Sequence, residues 1–385
     1  MPPSAPPDRQ PHIVALDHLR WMAAFMVVLQ HTRGIVMLDY APGQGPVARV
    51  VYLISGFGNE AVIVFFVLSG FLVGSGALDL AAGSSASQRD RFARARFARI
   101  FGVLWPALAL SLIVAGLIAD GPIAGAWSPY MPNMRGTDSP ARWAATALML
   151  NEIWPRFLTP FNPPLWSLAC EWTYYSCAIC GVYIATRDRR PAAIAFCLYA
   201  AALVVATAIG NPGALWLGSF WLLGLLAARL PPYRRPLLSG AAFAAALLIS
   251  RFHVLGQMQG YALIAVATMA LIGDKAWQSV TIAPRLGAML AGFSFSLYAI
   301  HWPVVTGAAA LANAWGHLPT RQPPGAVAYL LTAALVALAY AASWGFSRAT
   351  ERGGGWLSRA IESLASNRPS AAHTNRASSY PPPIP

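Results

Sequence analysis

Asp17, His18, Arg20, Gln30 and His31 fall inside a stretch that otherwise reads as membrane-spanning helix. Arg96 and Arg99 stand at the threshold of a second, Ile100-Phe101-Gly102-Val103-Leu104-Trp105. Ionisable groups at membrane depth are costly, so each marks a candidate functional site. Arg20 and His31 are eleven residues apart. At about 100° and 1.5 Å per residue, that spacing returns nearly to the same helix face and separates them by roughly 16 Å along the axis. Asp17 lies one turn before Arg20. One helix thus carries a cation near one membrane surface and a titratable imidazole well inside, a poor lipid-facing wall and a good wall for a polar cavity. An imidazole can accept a proton near neutrality, and guanidinium forks suit phosphate. Proton transfer and anion binding are therefore the chemistry these residue types offer.

The elements that must position them are membrane helices. Of 385 residues, 57 % are hydrophobic and only 11 % charged, with mean hydropathy +0.51. That is too little charge to cover a soluble protein of this size. A span needs roughly 20 apolar residues, and ten segments qualify: 13–37, 59–79, 98–119, 165–186, 191–209, 213–230, 236–250, 258–273, 285–312 and 325–347. The stretch 143–150 is too short to cross and is expected at the interface. Leu/Ala/Val-rich segments without strict alternation favour an all-α polytopic bundle of about ten transmembrane helices over a barrel. Residues 1–12 read as a disordered tail, 13–347 as the membrane domain, and 348–385 as a largely disordered tail with room for a short helix at 356–365.

A net charge of +13 invites a nucleic-acid reading, but the basic residues are segregated by loop. Nineteen of the 27 lie on one side, including Arg89, Arg91, Arg94, Arg96 and Arg99, while seven lie on the other. The positive-inside rule then places both termini and the 80–97 loop in the cytoplasm. The charge is a topology signal, and no nucleic-acid partner is expected. No cleavable signal peptide is visible, because the first apolar segment is too long and too charged. Cys170, Cys177, Cys180 and Cys197 all fall within expected spans and read as reduced packing residues; no metal is implied.

The motifs resemble those of the acyltransferase-3 family of membrane O-acyltransferases, which modify surface polysaccharides. The resemblance rests on Leu16-Asp17-His18-Leu19-Arg20 with His31, on Phe65-Phe66-Val67-Leu68-Ser69-Gly70-Phe71-Leu72, and on Arg96-Phe97-Ala98-Arg99. It extends to Pro164-Leu165-Trp166-Ser167-Leu168-Ala169-Cys170-Glu171 and to Ser294 through Pro303, which holds Tyr298 and His301. Five motifs in the family's order cover residues 16 to 303. There are departures. His18 and Trp21 stand where small residues are common, and Gly102 and Leu104 where proline and tyrosine are. Ile63 and Val64 occupy the place of an acidic residue, and Trp172 follows Glu171.

The resemblance implies an enzyme of the bacterial inner membrane. It would transfer an acyl group, acetyl above all, from a cytoplasmic acyl-CoA to a hydroxyl of a cell-surface or periplasmic carbohydrate or glycolipid. Acyl transfer to an alcohol needs a base, a donor anchor and oxyanion support. His31 is the expected base and Arg20, Arg96 and Arg99 the donor anchor, although Arg96 and Arg99 also fit loop retention or lipid contact. Glu171, expected on the outer side with His31 and Glu60, would orient the imidazole, bind a sugar hydroxyl, or pair with an arginine. Asp17, Tyr298 and His301 are expected at or behind the substrate, and Ser69 is read as a small helix-packing residue. The aromatics of 120–164 (Trp127, Tyr130, Trp143, Trp154, Phe157, Phe161) are expected in an interfacial belt, with stacking on a sugar ring as the alternative. A succinyltransferase of a periplasmic glucan, an enzyme acylating a small molecule, and a carrier or flippase remain as alternatives. The carrier lacks the internal repeat usual for transporters.

Overall fold

The computed structural model describes residues 13–119, 139–151, 161–319, 321–351 and 355–366. The helices in chain order are α1 (Val14–Val36), α2 (Gly45–Ile54), α3 (Gly58–Ser69), α4 (Ser75–Ala82), α5 (Ala86–Ala119), α6 (Pro140–Ala147), α7 (Trp166–Ala185) and α8 (Pro191–Gly210). They continue with α9 (Pro212–Ala227), α10 (Pro236–Arg251), α11 (Gln257–Gly273), α12 (Lys275–Gln278), α13 (Pro284–Ala291), α14 (Ser294–Gly316), α15 (Ala326–Thr350) and α16 (Gly355–Ser366). Among the described residues there is no strand, only two isolated bridges.

Among the described residues five helical stretches are long and apolar enough to cross a membrane, and α9, α10 and α11 are shorter apolar helices. α1 and α7, with 23 and 20 residues, have comparable length but carry the ionisable and hydroxyl-bearing side chains. Together these ten correspond to the ten expected segments, and the chain is an all-α membrane bundle. Ile209, Leu237 and Leu330 are 77 %, 88 % and 71 % exposed, apolar surface of the kind that lipid covers. Helices α6, α8, α9, α10 and α13 all open on proline, whose missing N–H would have no partner in a first turn anyway.

Two elements differ from the sequence reading. The segment 285–312 is broken at Gly292, where the Ser294 hydroxyl donates to the Ala291 carbonyl at 2.9 Å. α13 packs on α1 instead of extending α14. His18 explains why: its Nε2 lies 2.7 Å from the Ile282 carbonyl, and its Nδ1 accepts from Trp21 Nε1 at 2.9 Å. A Cβ on Gly287 would stand 3.0 Å from His18 Nε2, so the small residue admits the ring. The bulky pair His18 and Trp21 thus docks the lead-in to α13. The second difference is at the C-terminal end. α15 runs past residue 347 to Thr350, and α16 packs on α5, with Trp356 Nε1 donating to the Gly102 carbonyl at 2.9 Å and Leu357 buried.

α3 and α4 are joined by a π-helical turn, Gly70–Gly74, into one rod that crosses α9 at backbone contact. A Cβ on Gly70 would lie 1.8 Å from the Trp221 carbonyl oxygen, and one on Gly224 would lie 1.9 Å from that of Val67. Only glycine permits this approach. Gly224→Ala should therefore destabilise the detergent-solubilised protein by more than the ~1–3 kcal/mol of ordinary overpacking. Gly345→Ala, with nothing within 4 Å of the added methyl, is the neutral control. Equal thermal midpoints for the two variants would contradict the close crossing.

At the loop end of the bundle, Arg89 and Arg190 converge on Asp188 at 2.9 and 2.8 Å, and Arg190 also reaches Asp90 at 2.7 Å. Hydrogen bonds from Arg190, then Arg89, hold the Asp188 carboxyl well below the usual carboxylate range. A depressed carboxyl pKa favours the folded state above the ordinary value, and that support is lost only on strong acidification.

Candidate active site

An elongated cavity of about 940 Å³, its open mouth included, runs beside α3 between α5, α7 and α14. α3 and the π turn line it from Val62 to Val73, a length of roughly 16 Å at 1.5 Å per residue. Six of the residues singled out in the sequence face it: Arg20, Ser69, Arg96, Arg99, Glu171 and Tyr298. They come from five helices, so only folding assembles them.

Three guanidinium groups share this space with one carboxylate. Arg20 lies 3.9 Å from Asp17, one turn back. Arg96 and Arg99 sit over the rings of Phe92 and Phe295, at 5.2 and 5.7 Å from their centroids, and neither forms an ion pair among the described residues. Arg96 Nε is buried without a hydrogen-bond partner. Arg96 is half-buried and Arg99 exposed, so two cations without an ion-pair partner among the described residues border the cavity and suit an anionic ligand.

Glu171 does not stand with His31 as expected, but with the arginines. α7 starts inside the bundle: Asn162 and Leu165 are fully buried, and Asn162 Nδ2 donates to the Ala299 carbonyl at 2.8 Å. The Tyr298 hydroxyl donates to the Pro164 carbonyl at 2.7 Å and lies 2.5 Å from Ser167 Oγ. With its first turn anchored at the depth of Tyr298, α7 carries Glu171 to the level of the arginines. Ser69 is also more than a packing residue. It donates to Glu171 Oε1 at 2.7 Å and accepts from Trp221 Nε1 at 3.2 Å, tying α3, α7 and α9 together. Tyr175, one turn after Glu171, donates to the same carboxylate oxygen at 2.6 Å. Its i+4 position was the available signal, missed because tyrosine in a span reads as apolar.

His31 and His301 do not line this cavity; they pair with each other, His301 standing one turn after Tyr298 on α14. His31 Nδ1 lies 2.9 Å from His301 Nε2. The rings are 5° from parallel with centroids 5.2 Å apart. That separation matches the N···N contact plus two ring radii, so the rings are coplanar and joined edge to edge. The tautomers follow. His301 Nδ1 is 2.8 and 3.1 Å from the carbonyls of Tyr298 and Leu297, which only accept, so it carries the proton. In a neutral His301, Nε2 then holds a lone pair and accepts from His31 Nδ1–H. His31 Nε2 is left as the unprotonated nitrogen. Trp302 stands edge-on to His31, its ring centroid 5.3 Å away, and its Nε1 is buried without a partner. Sequence reading overlooked it, because nothing in a Trp-Pro pair signals an orphaned donor.

The aromatic segment lies mostly outside the described residues, which include neither Trp127, Tyr130, Trp154 nor Phe157. Of the others, Phe161 is buried and Trp143 packs against the core, so these two face inward.

The family model described as an acyltransferase domain, Acyl_transf_3, matches residues 13–344, from the start of α1 to within α15. The chain belongs to the acyltransferase-3 family. It is 31 % identical over 172 residues to "Acyltransferase MdmB" of Streptomyces mycarofaciens. That match covers 44 % of this chain and 39 % of the relative, so the chain spans well under half of that curated protein. No solved structure matches. The arginine cavity and the histidine pair are both built from residues of the motifs that carry the family resemblance.

Proposed function

We propose that this acyltransferase moves an acyl group, acetyl in the simplest case, from a cytoplasmic acyl-CoA to a hydroxyl of a cell-surface or periplasmic carbohydrate. The observation that carries the reading is the cavity: three arginines at one end, and at the other Tyr298, one turn before His301 and its partner His31. Phosphates of the donor bind the arginines, and the pantetheine arm extends along α3 toward the histidines. The acceptor oxygen forms a bond to the thioester carbonyl carbon while its proton passes to His31 Nε2. The C–S bond then breaks, and the leaving thiolate takes the proton back from the imidazolium. His301 Nε2 accepts from His31 throughout and stabilises the charged state. The unpartnered Trp302 N–H supplies a donor for the developing oxyanion.

The test is labelled acetyl-CoA presented to the purified protein in lipid nanodiscs, with and without the host's surface glycan. Coenzyme A thiol should be released and label should appear on the glycan. No thiol release and no label transfer would favour the carrier. Mass spectrometry of glycans from cells with and without the gene separates acetyl from succinyl.

The reading needs the arginine end of the cavity to face the cytoplasm. Cysteines at the exposed positions Ser87 and Arg189 should be labelled only from inside, and one at Val254 only from outside. Arg89, buried in its pair with Asp188, is unsuitable for this purpose. Outside labelling at Ser87 would reverse the orientation and remove the donor assignment.

A further inference from the structure

A second cavity, of about 670 Å³ with its open mouth included, lies at the opposite end of α1 and α3. It is polar, and none of the family motifs lines it. Gln30 and Arg33 reach it from α1, Asn59 and Glu60 from α3, and Arg251 and Tyr261 from α10 and α11. Glu60 is only 6 % exposed. Its Oε1 accepts from the Ser250 hydroxyl at 3.0 Å, while its Oε2 has no hydrogen-bond partner. No cation among the described residues lies within ion-pair distance of it, although two arginines share the cavity. An ionised carboxylate accepts only, so this oxygen calls for a donor from outside the chain.

The surrounding side chains are fixed in advance. Arg251 Nη2 donates to the Tyr52 carbonyl at 2.8 Å, and its guanidinium fills the place a Cβ on Gly56 would take, at 2.5 Å. Gln30 Oε1 accepts from the Gly58 amide at 2.7 Å, and a Cβ there would meet Gln30 Cδ at 2.9 Å. The glycines at 56 and 58 therefore make room for two polar side chains, which points to a built cavity.

We propose that this cavity binds the acceptor as a polyhydroxylated ligand, a sugar residue whose hydroxyl donates to Glu60 Oε2 and whose oxygens accept from Arg251 and the amides of Gln30 and Asn59. Hydroxyls both donate and accept, which suits a lining that mixes one carboxylate with guanidinium and amide groups. A free anion would leave Glu60 unsatisfied and face its charge. Gln30 immediately precedes His31 in α1, so the cavity lies at the level of the proposed base along that helix. The assignment deepens the proposed function and rests on it for the word acceptor, though not for the binding itself.

The test uses the full chain in nanodiscs on an array of neutral and acidic oligosaccharides. Wild type should retain a defined set of glycans, and Glu60→Gln should lose them at least tenfold while coenzyme A affinity is unchanged. Asn59→Ala, at the exposed rim and without contact to Ser250, should weaken the same set and guards against misfolding of the Glu60 variant. The KM for a retained glycan should rise in both variants with little change in kcat. No glycan retained by folded wild type, or an unchanged pattern in both variants, overturns the site. Loss of the pattern in an Arg96/Arg99 variant, but in neither of these, places the glycan in the first cavity and also overturns it. Glycan binding without any acyl transfer leaves this site standing and removes the proposed reaction instead.

Discussion

His31→Gln will leave the protein in the membrane, folded and able to bind donor, while transfer falls by about 10²–10⁴-fold, the usual contribution of a general base. Glutamine keeps much of the size of the imidazole and its side-chain amide can still donate to His301 Nε2, but it has no nitrogen that can take a proton. The effect should lie in kcat, with the coenzyme A dissociation constant unchanged, because His31 does not line the cavity that holds the arginines. His301→Gln is the instructive companion. His301 is fully buried and bonded to the carbonyls of Leu297 and Tyr298, so it orients and polarises His31 without reaching substrate. Its loss should lower kcat less and displace the pH–rate profile. A His31→Gln enzyme with substantial transfer at saturating donor would return the pair to a structural role and send the search for a base to Glu171.

Arg96→Ala with Arg99→Ala should weaken donor binding steeply. A charge-assisted hydrogen bond typically contributes about 1.5–3 kcal/mol, or roughly tenfold to a hundredfold in affinity for each arginine. Lysine substitutions discriminate the explanations. A topology signal or a lipid contact needs only the charge, so Arg96→Lys with Arg99→Lys would then behave as wild type. Phosphate recognition by planar forks stacked on Phe92 and Phe295 would be impaired by lysine as well. The affinity should also fall with added salt more steeply in wild type than in the double alanine variant. Equal donor affinity in wild type and the alanine pair would leave the arginines with no part in catalysis.

The sequence by itself determined the class and most of the elements. Long apolar runs interrupted by few charges can only be membrane helices, and the eleven-residue spacing of Arg20 and His31 does fall within one helix, Val14–Val36. Proline at helix starts and glycine at close crossings are local rules that act before any tertiary contact. The identity of the candidate residues was also legible, because ionisable groups in apolar runs stand out by cost alone.

Only the tertiary structure decided how those residues are grouped. Periodicity put Arg20 and His31 on one face and implied one cavity; packing gives Arg20 to the arginine cavity and pairs His31 with a histidine 270 positions away. Glu171 moved to the arginine side because Pro164 and Asn162 anchor the start of α7 within the bundle, a depth that hydropathy cannot register. The break at Gly292 depended on His18 meeting α13 across the bundle. The Glu60 cavity was not visible at all, since its lining comes from four separated helices and no local pattern marks a buried carboxylate lacking a donor. Local sequence sets which residues are costly to bury; long-range packing sets which of them share the cost.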